Sequence, residues 1–144
     1  AFMTDARSPT GALGLMQLMP ATGRETARRI GARLANTRTL LEPTKNIMIG
    51  SAYLKQMFER FGGSFSLAAA AYNAGPHRVQ KWLPKSRCVP ADIWIDTIPF
   101  TETRRYVRRA AFHATLYQWR LSEKFQSLAT RLTDASPRGT NQQC

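Results

Sequence analysis

The chain has 144 residues, of which 43% are apolar and 21% charged, a composition that is typical of one globular domain and excludes wholesale disorder. Its 21 lysines and arginines against 9 acids give a formal charge of +12, which indicates an anionic partner: nucleic acid, anionic lipid or an acidic cell-wall polymer. No apolar stretch approaches the roughly 18 residues of a membrane-spanning helix, and the first residues lack the apolar core of a signal peptide.

Proline and glycine divide the first half of the chain into a loop and two predicted helices. The first 14 residues are rich in Gly, Pro, Ser and Thr, which predicts a loop. Residues 20–30 predict a helix that a proline begins and Gly31 ends. A clearer helix runs from Pro43 to a Gly-Gly pair, and its predicted apolar stripe is Ile47, Leu54, Phe58 and Phe61.

Three further helices are predicted in the second half. Ser64 starts an alanine-rich helix, SFSLAAAAYNAG, and Pro76 opens a short helix through HRVQKWL. The stretch PADIWIDTIPF is ambiguous between a short helix and an irregular loop. Thr101 is the expected cap of the helix ETRRYVRRAAFHATLYQWRLS, whose predicted stripe is Tyr106, Ala110, His113 and Tyr117. Because no segment alternates at period two, the predicted fold class is all-α.

The remaining segments carry no metal or redox motif. A last helical turn or two is expected through Leu132, followed by a disordered tail, DASPRGTNQQC. Cys88 and Cys144 lack metal-ligand spacing, and because Cys144 lies in the polar tail we expect the two to remain unpaired. His77 and His113 have no partner at ligand spacing, so we expect no metal site and no cofactor.

Four stretches form the most specific pattern in the chain. They are SPTGALGLMQLMPATG (8–23), KNIMIGSAYL (45–54), AAYNAGPHRVQKWL (70–83) and TIPFTETRRYV (97–107). In order and spacing they resemble the catalytic domain of the soluble lytic murein transglycosylases, which is related to goose-type lysozyme. The resemblance runs from Ala1 to about Gln118. It implies a lysozyme-like helical domain over residues 1–122, missing its first helix, and a C-terminal extension over 123–144.

The resemblance implies a specific reaction. Such enzymes cut the β-1,4 bond between N-acetylmuramic acid and N-acetylglucosamine in peptidoglycan and form a 1,6-anhydromuramic end without using water. One carboxyl protonates the leaving oxygen and then accepts the proton of the muramoyl C6 hydroxyl, whereas most glycosidases use two carboxylates. That carboxyl must be protonated near neutral pH, which requires a pocket that raises its pKa.

The expected acid is absent from the residues that match the family. The family places it in a Glu-Ser pair upstream of the serine that matches Ser8, at a position before Ala1, and Phe2 supports this register. The nine acids present fall in loops, at helix ends or on polar faces, so none is expected to replace it. We therefore expect a domain truncated just after the Glu-Ser pair and inactive as it stands.

Three residues are expected to support catalysis. By resemblance, Ser8 would help to polarise the N-acetyl group or to orient the acid, and Tyr72 would lie near the scissile bond. Glu102 would close the groove from the other side and bind substrate or hold Tyr72. The alternatives are a packing role for the Tyr72 ring and, for Glu102, a first-turn acid that complements the helix dipole.

Three more residues are expected to bind substrate. Gln17 offers amide donors and an acceptor to sugars, Met19 offers a flexible apolar contact, and Asn73 offers an amide near the scissile bond. The alternatives are that Gln17 satisfies backbone groups in an irregular turn, that Met19 belongs to the core, and that Asn73 merely ends a helix.

The resemblance implies peptidoglycan glycan strands as the partner, a monomeric state, and a location in the bacterial periplasm or cell envelope. Two alternatives share this substrate: a goose-type lysozyme-like hydrolase, and a noncatalytic peptidoglycan-binding module. A basic helical nucleic-acid binder ranks last, because only the charge favours it and no DNA- or RNA-reading motif is present.

Overall fold

A computed structural model describes residues 3–124 and 126–137, and these residues form helices joined by short loops. Among them the only β-type pairing consists of isolated bridges, so the all-α prediction is confirmed. The chain divides into two compact units, unit 1 (Ala1–Lys55) and unit 2 (Gln56–Cys144). The α-helices are α1 (Pro20–Arg29), α2 (Pro43–Arg60), α3 (Phe65–Ala74), α4 (Pro76–Trp82), α5 (Ala91–Thr97) and α6 (Thr101–Ser122), with 3-10 turns at Thr37–Leu41 and Leu128–Thr130.

Unit 1 packs its loop and its helices through glycines that leave room for larger neighbours. A Cβ placed on Gly23 of α1 would lie 2.8 Å from Leu40 Cδ1, and one on Gly50 of α2 would lie 2.6 Å from Met16 Cβ. Both distances are shorter than real Cβ contacts, so a larger residue at either position would force the neighbouring side chain to shift. The segment before α1 is thereby held against the start of α2.

The core of unit 2 is built around α3. Residues 66–71 are all buried, and this helix packs against α4 and α6. Alanine lets the neighbouring helices approach closely, which explains why the centre of the unit is rich in that residue. Helix α6 faces the core with Thr103, Val107 and Ala111, which follow one another at one-turn intervals.

An aromatic cluster joins the segments on either side of α5. The rings of Trp82 and Phe100 meet edge to face, with centroids 5.2 Å apart, and Trp94 Nε1 donates a hydrogen bond to the backbone oxygen of Trp82. The guanidinium of Arg78 lies 5.3 Å from the centre of the Phe100 ring and also donates to the backbone oxygen of Ala74. The C-terminal end of α3 and the residue before α6 are therefore held by the same arginine.

The predicted helices are present, and the ambiguous segment is helical. Helices α1, α2, α3 and α4 start at or next to the expected residues, and α5 resolves PADIWIDTIPF as a short helix. The expected cap of α6 is wrong: Phe100 occupies the N-cap position, and Thr101 is the first helical residue. The Thr101 hydroxyl accepts a hydrogen bond from Arg104 Nη2 and not from a backbone amide of the first turn.

Two predicted apolar stripes are only partly covered. On α2, Ile47 is exposed and Leu54 and Phe58 are half-buried, whereas Phe61, directly after the helix, is buried as predicted. The other buried side chains of this helix are Asn46, Ile49 and Met57. On α6 the predicted His113 and Tyr117 are likewise exposed, and the buried stripe runs through Thr103, Val107 and Ala111. In both helices apolar residues occur on more than one face, so periodicity alone does not decide which face is covered.

The tail and the cysteine predictions need correction. A short turn forms at Leu128–Thr130, within the segment where a last turn was expected. Ala135 is fully buried and pairs with Val89, so the start of the segment expected to be disordered is ordered, while residues 138–144 lie outside the described residues. Cys88 is disulfide-bonded, which contradicts the expectation that it is unpaired, and Cys144 lies outside the described residues. None of the described helices is both long enough and apolar enough to cross a membrane.

Candidate functional site

Ser8 organises the loop that precedes α1. Its Oγ lies 2.9 Å from Thr10 Oγ1 and accepts a hydrogen bond of 2.9 Å from the backbone amide of Ala12. Its backbone amide also donates to the backbone oxygen of Ala12, which closes a tight turn over residues 8–12. Ser8 is half-buried, and these bonds hold its hydroxyl in a defined position. An acid or a sugar that contacted this hydroxyl would meet it there.

Gln17 lies in the same loop in a left-handed conformation, with φ of 48°. Its Nε2 donates to the backbone oxygens of Gly14 at 2.8 Å and Ala6 at 3.4 Å, so the side chain does satisfy backbone groups in an irregular turn. Both contacts use the amide nitrogen, and Oε1 accepts no hydrogen bond from the described residues. The side chain is exposed, which leaves that oxygen facing solvent.

At the end of this loop, Leu18 is buried in the core and Met19 is exposed to solvent. Leu18 is 2% exposed, whereas Met19 is 44% exposed and takes the N-cap position of α1. The core alternative for Met19 is therefore wrong, because a core methionine would be covered on all sides. Its thioether side chain is available for an apolar contact.

Asn46 of α2 holds the loop that carries Gln17. Its Nδ2 donates to the backbone oxygens of Leu13 at 2.9 Å and Leu40 at 2.6 Å, and its Oδ1 accepts from the backbone amide of Met16 at 2.6 Å. The side chain is fully buried. Sequence reasoning missed this residue, although it lies in one of the four matched stretches.

Gly14 makes this arrangement possible. Its φ is 71°, and an added Cβ would lie 2.4 Å from Asn46 Nδ2 and 2.5 Å from the backbone oxygen of Leu40. Any larger residue would displace the amide and strain the backbone at the same point. The glycine before LMQ therefore serves both the left-handed turn and the approach of Asn46.

In unit 2, the end of α3 presents Tyr72 and Asn73, both half-buried. Gly75 ends the helix with φ of 93° and ψ of 143°, a conformation that is essentially restricted to glycine. The chain turns there directly into α4. Gly75 thus fixes the end of α3 directly after the turn that carries Tyr72 and Asn73.

Asn73 is bonded to α6. Thr103 Oγ1 donates a hydrogen bond of 2.7 Å to Asn73 Oδ1, and Thr103 is 1% exposed. Asn73 therefore does more than end a helix, because its side chain joins α3 to α6. Sequence reasoning selected the stretch TETRRYV but missed Thr103 in it.

Glu102 precedes Thr103 in the first turn of α6, and its side chain is exposed. This position agrees with an acid that complements the helix dipole. Within unit 2 the structure thus brings Asn73 to the same end of α6 as Glu102. Ser8, Gln17 and Met19 belong to unit 1, where one loop carries all three.

All nine carboxylate side chains are at exposed positions. Burial raises the pKa of the half-buried Tyr106 phenol above its ordinary 10.0. Among the described residues no three His, Cys, Asp or Glu side chains are grouped as a metal ion would require.

Comparison with known proteins identifies the family to which this chain belongs. The model of the transglycosylase SLT domain family matches residues 1–95. The chain is 37% identical over 126 residues to soluble lytic murein transglycosylase of Escherichia coli K12, an alignment that covers 86% of this chain and 20% of that protein. A second relative, from Salmonella typhimurium, is 39% identical over the same length and share of each chain.

The fold agrees with a solved structure of the same kind. Lytic transglycosylase Slt from Pseudomonas aeruginosa, solved as an inactive mutant, superposes with a TM-score of 0.83 at 50% identity, over 88% of this chain and 20% of that one. The chain spans about a fifth of the length of the relatives that it matches. The matched residues include the loop of Gln17 and the end of α3, and the chain belongs to the transglycosylase SLT domain family.

Proposed function

We propose that this chain is a peptidoglycan lytic transglycosylase domain. Its reaction would be cleavage of the β-1,4 bond between N-acetylmuramic acid and N-acetylglucosamine, with formation of 1,6-anhydromuramic ends. The observation that carries the proposal is the family match over residues 1–95, which contains both GLMQLMP and AYNAG. The relatives with this match are named for the same activity.

We propose that none of the nine carboxylates in this sequence is the general acid. A carboxyl that donates a proton near neutral pH needs a desolvating pocket or an acidic neighbour, and all nine carboxylates here are exposed. The Pseudomonas aeruginosa relative supports a glutamate in this role, since its inactive form carries glutamine in place of a glutamate.

The residues present would bind and orient the glycan strand. Gln17 would accept a hydrogen bond from a sugar hydroxyl or amide through Oε1, the atom that its backbone contacts leave open. Met19 would contact an apolar sugar face, and Asn73 would address the N-acetyl groups. Ser8, Tyr72 and Glu102 would support the acid and the scissile bond.

A noncatalytic peptidoglycan-binding module is the second candidate, and the exposure of all nine carboxylates favours it. It shares every binding residue with the first candidate and differs only in lacking the acid. A goose-type lysozyme-like hydrolase would differ in the product. In each case the partner is a glycan strand of the bacterial cell envelope or periplasm, bound by a monomer whose positive charge favours an acidic polymer.

The test uses purified peptidoglycan sacculi and two forms of the protein: the chain as it stands, and the chain extended by its gene's own upstream codons. The first is expected to sediment with sacculi and to release no muropeptides. The second is expected to release 1,6-anhydromuropeptides if those codons supply the acid. Binding without release by both forms would favour the noncatalytic module, and failure of both to bind would overturn the glycan assignment.

A matched pair of variants checks that binding uses the predicted site. Gln17→Ala removes the amide from the loop but keeps a Cβ, so the backbone strain at this positive φ is unchanged. Gln80→Ala removes the same group from an exposed position on α4. We expect only Gln17→Ala to weaken binding to sacculi. Equal effects of the two substitutions would count against the Gln17 assignment.

A further inference from the structure

We propose that the outer face of α6 binds the surface of an anionic lipid bilayer. This face consists of exposed side chains only: Arg105, Arg109, Phe112, Leu116, Trp119 and Arg120. With about 100° of rotation per helical residue, they all lie within an arc of about 100° on the side opposite the buried Val107. The proposal goes beyond glycan binding and does not depend on it.

The C-terminal half of α6 exposes a continuous apolar stripe. No residue from 112 to 122 is buried. Phe112 is 59% exposed, Leu116 40% and Trp119 51%. These three follow one another at i, i+4 and i+7, so they are neighbours on one side of the helix and not scattered single side chains. A contiguous exposed apolar surface is typical of a site that contacts a partner.

The segment that follows α6 leaves this stripe uncovered. Gln118 Nε2 donates a hydrogen bond of 2.7 Å to Gln126 Oε1, and Arg131 Nη2 donates to Gln118 Oε1. Gln118 lies about three turns after Val107 on the same side of the helix, so these contacts are made on the inner side of α6. The described residues after α6 therefore do not cover its outer face.

The same face carries positive charge, and its helix offers no acid to neutralise it. Residues 103–122 contain five arginines and no aspartate or glutamate. Arg105, Arg109 and Arg120 are exposed, and none of them forms an ion pair with the described residues, whereas Arg108 at the edge of the arc pairs with Asp96. Guanidinium groups beside an apolar stripe indicate a partner that is both anionic and apolar.

An anionic bilayer supplies both kinds of contact. Phe and Leu side chains enter the acyl boundary, and Trp favours the headgroup level because its ring is apolar and its N–H is polar. The long stems of Arg109 and Arg120 let their guanidinium groups stay at the lipid phosphates while the neighbouring rings lie deeper. Nucleic acid offers phosphates without an apolar layer, so it would leave Leu116 in water. Because its inner side packs on α3, α6 lies along the membrane surface.

The test measures sedimentation of the protein with phosphatidylcholine vesicles that contain or lack phosphatidylglycerol. The unaltered chain is expected to bind only the anionic vesicles. Arg105→Gln/Arg109→Gln should weaken this binding about thirtyfold, and Phe112→Ser/Trp119→Ser at least about tenfold. Lipids with brominated acyl chains should quench the tryptophan fluorescence of the bound protein, and Trp119→Phe should remove most of this quenching.

Two control pairs make the same chemical changes elsewhere. Arg24→Gln/Arg28→Gln removes two charges from exposed positions on α1. Ile47→Ser/Ile93→Ser removes two apolar side chains that are 47% and 54% exposed. Both pairs should bind anionic vesicles much more tightly than the outer-face pair that they match. Circular dichroism of every variant shows whether it is folded under the conditions of the assay.

Three outcomes would overturn the proposal. The first is failure of the unaltered chain to bind anionic vesicles, which would favour an acidic protein as the partner of this face. The second is an equal loss in the control and outer-face pairs, because diffuse attraction by a charge of +12 has no preferred face. The third is failure of the chain extended by its gene's upstream codons to bind, which would mean that another part of the protein covers the face. Since the vesicles contain no glycan, these results are independent of the proposed function.

Discussion

Replacing the buried Asn46 with alanine should destabilise the protein far more than replacing an exposed asparagine with alanine. The side chain is fully buried and makes three hydrogen bonds, to the backbone groups of Leu13, Met16 and Leu40. Alanine can make none of them. The loop that carries Gln17 would lose its attachment to α2.

The magnitude follows from the groups that lose a partner. The backbone oxygen of Leu13 also accepts from the amide of Leu18, so it remains bonded. The amide of Met16 and the backbone oxygen of Leu40 both lose the bond to Asn46. Losing the bond to the buried backbone oxygen of Leu40 costs about 1–3 kcal/mol and losing the bond to Met16 about 0.5–1.5 kcal/mol, so the two together predict a loss of roughly 1.5–4.5 kcal/mol in the free energy of unfolding.

The assay is urea unfolding followed by circular dichroism, with Asn36→Ala as the matched control. Asn36 is exposed and accepts one hydrogen bond, of 2.9 Å from the backbone amide of Arg38, at the start of a 3-10 turn. Losing this cap should cost only about 1 kcal/mol. Hydrogen exchange at the Met16 amide should also accelerate in Asn46→Ala and not in Asn36→Ala.

Equal, small losses in the two variants would refute the reasoning. They would mean that the bonds to Asn46 are replaced by water at no cost, so that burial of this amide does not stabilise the loop. Unchanged exchange at Met16 in Asn46→Ala would lead to the same conclusion independently of the global stability.

Three further predictions concern unit 2. Gly75→Ala should lower the free energy of unfolding by about 1–3 kcal/mol, because alanine is strained at a φ of 93° although its Cβ would meet no neighbour; an unchanged urea midpoint would contradict this. Trp94→Phe should cost about 2–4 kcal/mol, since it opens a cavity and leaves the backbone oxygen of Trp82 without the indole; a loss below 1 kcal/mol would show that the site repacks. Burial raises the pKa of Tyr106 above 10.0, so the folded state holds this proton more tightly than the unfolded state and stability should fall as the pH rises past 10; Tyr106→Phe should remove that part of the dependence, and an identical profile in both proteins would refute the assignment.

The helix boundaries were predictable because proline and glycine act locally. Pro20, Pro43 and Pro76 each begin a helix, and Gly75 separates α3 from α4 with a positive φ. The buried faces of α2 and α6 were not predictable in the same way. Exposed apolar side chains such as Ile47 compete with the buried ones in any periodicity, and only tertiary packing decides which face is covered.

The sequence predicted the site residues that stand out within the four matched stretches. It did not predict the residues that act through contacts with distant parts of the chain. Gln17 and Asn73 stand in the matched stretches themselves. Asn46 and Thr103 stand there too, but each acts on a partner 30 residues away, Met16 and Asn73 respectively. Nothing in the local sequence of either residue indicates that pairing. The core alternative for Met19 could be rejected only once its exposure was known.

The chemistry of the newly formed chain end is the most direct test of the account. Sacculi digested by the chain extended through its gene's upstream codons would be analysed by mass spectrometry, which distinguishes 1,6-anhydromuramic ends from reducing muramic acid by the mass of one water. The account predicts anhydro ends. Reducing ends, released by the same protein, would contradict it and assign a hydrolase.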